Sequence, residues 1–248
     1  MRQPEGTLKL LAMAAAWFIF AAIVALGASV VALLAGGKSL NDVFGTLAGQ
    51  QQLILVLAPV TQLCLFVACL RRGLRTGRGN LREGLAWLGV QRRWDVALLA
   101  GAAAVVAMAH VAMVVRFPAY RAFFEHAQTS LPLPQQTGLG IGAYAAWVLL
   151  VVVVGAPLTE ELFFRGWLWV GLSRWWSVWV TAPATGCLWL LAHYSDGGWR
   201  RLLALVPAMI LVSLARSLGG SVKASMAVHA ANNAVLSAVL VAGRVATG

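Results

Sequence analysis

Charge is what this chain has least of. Only 11% of its 248 residues are Asp, Glu, Lys or Arg, where a soluble domain carries about 25%. Acids are scarcest, eight against nineteen Lys and Arg, for a net charge of +11. A soluble globular fold is thereby excluded. A nucleic-acid role is disfavoured too, because the basic residues lie mainly between apolar segments. There they act as topological signals and as contacts for anionic lipid headgroups. Cysteine is also rare. Cys64, Cys69 and Cys187 each sit in an apolar run and form no Cys-x-x-Cys, which argues against a zinc knuckle or redox pair and reads them as small buried hydrophobes. Three further patterns are missing. No His-Glu-x-x-His points to a zincin, no Gly-x-Ser-x-Gly to a serine hydrolase, and no Gly-x-Gly-x-x-Gly after a strand to a dinucleotide site.

What is present is hydrophobic sequence: 60% of the chain, with a mean hydropathy of +0.80. The apolar runs predict an all-α, polytopic transmembrane bundle of seven or eight spans around a polar intramembrane cavity. A span needs about 20 apolar residues. The runs fall at Leu8 to Ala35, Gln52 to Leu70, Val96 to Val115, Gly138 to about Leu172, Val178 to about His193, Leu202 to Leu218 and Ser221 to Val241. Residues 38–51 read as a polar connection, and Leu81 to Val90 as a short interfacial helix. The segment from Arg116 to Thr137, with three prolines, reads as a lid or interfacial loop. The row Gly138, Gly140, Gly142 suggests close helix approach. The fourth stretch is too long for one straight span, which predicts a bend near Gly155 and Pro157. The arginines between Arg71 and Arg93 place that loop and the N-terminus in the cytoplasm. Residues 1–137 form N-terminal helices with a basic loop, and residues 138–248 form the candidate catalytic core.

Against that background the polar exceptions stand out. Six of the eight acids lie in or beside predicted loops, and only Glu160 and Glu161 interrupt hydrophobic sequence. A charge at the bilayer centre costs roughly 2.5–3.5 kcal/mol on insertion scales, so such groups face the protein interior and mark function. Glu161 and Arg165 are four apart and pair on one helix face, while Glu160 is rotated about 100° away. A hairpin folded at Trp175-Trp176 brings Glu160 and His193 to equal depth, where carboxylate and imidazole can hold a water between them. His229 and Asn233 share a face of the last span, with Asn232 beside them, and both can donate to an oxyanion.

These residues resemble the three motifs of the CPBP family, the CAAX prenyl endopeptidase and bacteriocin-processing (Abi) intramembrane proteases. Its pattern is Glu-Glu-x-x-x-Arg, then Phe-x-x-x-His, then His-x-x-x-Asn. Here these are Glu160-Glu161 with Arg165, Trp189 with His193, and His229 with Asn233, so Trp189 stands where the pattern has Phe. The resemblance covers roughly residues 140–240. It implies a glutamate-dependent intramembrane endopeptidase without a metal cofactor. In that reading Glu160 and His193 activate water, His229 and Asn233 stabilise the oxyanion, and Glu161 and Arg165 order the site, with Trp189 and Asn232 in support. A zinc site of Glu160, His193 and His229 is the alternative cofactor reading. A non-catalytic immunity or scaffold protein, using the cluster as helix glue, and a small transporter are the alternative functions. The expected partners are membrane lipids and a peptide or protein substrate near the membrane, without nucleic acid. The expected location is a bacterial-type plasma membrane.

Overall fold

A computed structural model describes residues 4–90, 137–194 and 198–245, with scattered positions between 101 and 118. Among the described residues every element is a helix: α1 (Pro4–Ala35), α2 (Leu40–Gly45), α3 (Leu47–Thr76), α4 (Leu81–Trp87), α5 (Ile141–Leu172), α6 (Val178–Ala192), α7 (Gly198–Gly219) and α8 (Val222–Val245). Hydrocarbon offers backbone groups no water, and a helix satisfies them within its own segment. Gly6–Ala35, Ala48–Thr76, Ile141–Leu172 and Arg201–Gly219 are long and apolar enough to cross a membrane, and Val178–Ala192 is a shorter apolar helix. The chain is an all-α integral membrane bundle. The expected span over 96–115 and the proline-bearing segment after it, with His110 and His126, fall almost wholly outside the described residues.

Local chemistry sets the helix ends. The connection expected over 38–51 contains α2, because Ser39 and Asp42 form a capping box. The Asp42 N–H donates to Ser39 Oγ at 3.1 Å, and the Ser39 N–H donates to Asp42 Oδ2 at 2.8 Å. Asn80 starts α4 as its N-cap, its Oδ1 accepting from the N–H groups of Arg82 and Glu83. This is the short helix expected over Leu81 to Val90. Past α5 the N–H groups of Trp175 and Trp176 both donate to the Leu172 carbonyl, closing the hairpin turn before α6.

The bundle closes around Trp167. Phe163, Phe164, Leu168 and Leu172 of α5 join Trp189 of α6, together with Leu10 and Ala14 of α1 and Leu65 and Cys69 of α3. Close approach comes where side chains vanish. A Cβ on Gly84 would sit 2.6 Å from the Gly73 carbonyl carbon, so α4 docks on α3 backbone to backbone. Among the described residues the row expected to pack closely does not. A Cβ on Gly140 or Gly142 would meet nothing within 4 Å, and Gly138 serves the turn before α5, with φ +74°. Of the three cysteines only Cys69 is buried. Cys64 is partly buried and Cys187 is exposed, so the expectation of three buried thiols fails there.

Around Gly155 and Pro157, where a bend is expected, α5 changes pitch. The helix runs unbroken from Ile141 to Leu172 and is π-helical over Val148–Gly155 and Leu162–Leu168, on either side of Ala156–Glu161. π-turns loosen the backbone ladder and recur at functional sites. Here three α5 carbonyls accept bonds from other helices. Gln62 Nε2 of α3 donates to Val151 at 3.0 Å, Asn233 Nδ2 of α8 to Val152 at 2.9 Å, and Arg216 Nε of α7 to Arg165 at 2.9 Å.

Candidate functional site

Two adjacent carboxylates leave α5 in different directions and meet different environments. Glu161 and Arg165 are both fully buried, and Arg165 Nη1 donates to Glu161 Oε1 at 3.2 Å. His229 Nδ1 of α8 donates to that same oxygen at 2.9 Å. Arg165 also reaches Ser213 Oγ of α7 at 3.4 Å, and its guanidinium lies over the Trp189 ring at 5.4 Å. A buried ion pair pays for itself only when further hydrogen bonds complete it. Glu161 is therefore committed to holding α5, α7 and α8 in register.

Glu160 remains in contact with the cavity. Its side chain is 18% exposed and that of His193 is 21% exposed, against 0% for Glu161, so Glu160 is the carboxylate within reach of water. Trp189 Nε1 donates to Glu160 Oε2 at 2.6 Å, and His193 Nε2 lies 3.6 Å from that oxygen. His193 caps α6, where the last carbonyls have no helical partner. Its Nδ1 takes one of them, donating to the Trp189 carbonyl at 2.8 Å. A carbonyl only accepts, so Nδ1 carries a proton, and in the neutral ring Nε2 presents a lone pair. Nε2 and Glu160 Oε2 are then two acceptors face to face, too far apart for a direct bond and suited to a bridging water.

α8 supplies the remaining polar groups. Asn233 Nδ2 donates to the Val152 carbonyl for a reason visible in the chain. The Ala156 N–H bonds to Val151, five residues back. In that register Val152 would be served by residue 157, which is proline and has no N–H. The asparagine amide fills the vacancy. Asn232 is buried beside it and donates to Asn233 Oδ1 at 3.4 Å.

Glu160, His193, His229, Asn233, Trp189 and Asn232 all line one cavity of about 230 Å³, with Glu161 and Arg165 forming its packed backing. Among the described residues no three His, Cys, Asp or Glu side chains are grouped as a metal site. Sequence reasoning missed Gln62 and Arg201, which line the same cavity, and Ser213 and Arg216, which hold Arg165. Gln62 was visible as an amide inside an apolar run. Arg201 and Arg216 look like ordinary flanking charges.

Residues 142–235 match a family model described as Rce1-like, type II CAAX prenyl endopeptidase. No curated protein and no solved structure matches the chain. The matched segment contains both acids of α5 and all of the α6 and α8 polar residues singled out above, while Gln62 lies outside it. Over residues 142–235 the chain is thus similar to the Rce1-like family of type II CAAX prenyl endopeptidases.

Proposed function

We propose that the chain is a glutamate-dependent intramembrane endopeptidase that hydrolyses a peptide bond with a water held between Glu160 and His193. The observation that carries this reading is the 3.6 Å approach of His193 Nε2 to Glu160 Oε2, with Nδ1 already spent on the Trp189 carbonyl. A water donating one hydrogen toward each acceptor is polarised at the point where it must attack. As its oxygen bonds to the scissile carbonyl carbon, the released proton passes to Glu160. The carbonyl π-electrons become an oxyanion. His229, its ring held at Nδ1 by the Glu161 carboxylate and lining the same cavity, is the group we assign to stabilise it. Asn233 adds the second N–H of its amide, the first being engaged at Val152. Collapse re-forms the carbonyl, breaks the C–N bond and sends the proton from Glu160 to the departing amine. No step requires a metal.

The family match and the cavity's place in an apolar bundle support one substrate class, a peptide tail presented at the membrane, with prenylated CAAX tails as first candidates. The test offers the detergent-purified protein a prenylated CAAX-tailed peptide, its unprenylated twin and a pool of natural peptides in ¹⁸O water. One ¹⁸O in the new C-terminal carboxylate, undiminished by a chelator, is the expected result. No cleavage of any peptide, or activity abolished by chelation and restored by zinc, would overturn the reading.

A further inference from the structure

We propose that Trp189 is a positioning residue whose indole N–H aims the Glu160 carboxylate at His193 and thereby sets the rate of the hydrolytic step. This rests on the glutamate-hydrolase reading above and assigns a role that an aromatic wall alone does not have. The bond from Nε1 to Glu160 Oε2 is 2.6 Å, shorter than the usual 2.9–3.0 Å or so of an N–H···O bond and in keeping with a charged acceptor. An indole nitrogen only donates, so it cannot exchange roles with the carboxylate it holds. Trp189 is 2% exposed, which leaves water no route to replace it.

The ring itself is clamped. The Arg165 guanidinium lies over it, the His229 ring meets it edge-on at 5.5 Å, and the His193 ring lies 4.4 Å away. Its main chain acts as well, since the Trp189 carbonyl takes the His193 Nδ1–H. One residue thus orients both members of the water-holding pair, the carboxylate through its side chain and the imidazole through its backbone. The two effects are separable. A phenylalanine at position 189 would keep the wall and the carbonyl but leave Glu160 Oε2 without its donor.

The deciding variant is Trp189→Phe, assayed on whichever of the three peptide probes the wild type cleaves. The expected result is a kcat lower by about 10- to 100-fold, the scale of a mispositioned catalytic group. KM stays within about twofold and the melting temperature in detergent is little changed, because a positioning loss spares binding. A second readout is independent of turnover. In ¹⁵N-indole-labelled protein the Trp189 Nε1–H resonance, identified by its absence in Trp189→Phe, lies downfield and moves upfield in Glu160→Gln. Full kcat in Trp189→Phe, or a resonance indifferent to Glu160→Gln, overturns the proposal while the hydrolase reading stands. A fully active Glu160→Gln protein removes both.

Discussion

Replacing Arg165 by methionine tests how the site is held together. Arg165 and Glu161 are completely buried, and the guanidinium contributes the ion pair at 3.2 Å together with its seat over Trp189. Arg165→Met leaves a buried carboxylate whose remaining charge-assisted partner is the His229 N–H. Breaking a buried pair on one side costs about 3–5 kcal/mol, and losing a desolvated cation–π contact adds about 1–2 kcal/mol. The single variant should therefore lose about 4–7 kcal/mol, much of a typical folding free energy. Glu161→Gln combined with Arg165→Met removes both charges and keeps an oxygen for His229. It should return to within about 2 kcal/mol of wild type, since a buried pair often adds little over neutral groups of similar size. Activity should remain low in the refolded double variant, because His229 Nδ1 has lost the carboxylate that holds its ring. The assay is a double-mutant cycle from reversible unfolding in mixed micelles, with peptide cleavage measured in parallel. Additive single effects, or a loss below about 1 kcal/mol for Arg165→Met, would refute the claim that this pair organises the helices.

Two further outcomes follow from local chemistry. Asn233→Ala orphans the Val152 carbonyl and should cost about 1–3 kcal/mol. In a Pro157→Ala background, where residue 157 regains its N–H, the same change should cost far less, and an undiminished cost would sink the proline-vacancy account. Asp42 is held below the usual carboxylate range, first by the Ser39 hydroxyl and then by the Ser39 N–H. A lowered pKa means a contribution that is complete above the unfolded-state value and lost as pH falls through the folded one. Protease cleavage near α2 should therefore rise on acidification in the wild type, and Asp42→Asn should flatten that rise.

Much of the site was legible because hydrocarbon makes polar residues conspicuous. Glu160, His193, His229 and Asn233 interrupt apolar sequence, and the spacing between Glu160 and His193 brackets the Trp175-Trp176 turn, so their shared depth followed from helix geometry. The pairing of Glu161 with Arg165 was legible as well, since the two lie four residues apart on one helix. Partners from distant sequence were not. Gln62 lies 89 positions before the Val151 carbonyl it serves, and Arg216 lies 51 after Arg165, so no local period links either pair. The pitch of α5 was also hidden, because glycine and proline announce that a helix must change without saying whether it bends or widens. The glycine row at 138–142 misled for a similar reason. Small residues permit close approach, but only a neighbouring helix uses it, and among the described residues none comes within reach of Gly140 or Gly142. The indole N–H of Trp189 escaped notice because an aromatic at that position looks like wall.

The most direct test of the central claim is the single-turnover cleavage rate of Glu160→Gln, measured against wild type on the same peptide and in the same detergent. Glutamine keeps the size and the oxygen that accepts from Trp189 but cannot take the proton of an attacking water. The account predicts that bound peptide is retained while cleavage falls by at least about 10²–10⁴-fold, the usual worth of a general base. Cleavage at the wild-type rate would contradict it.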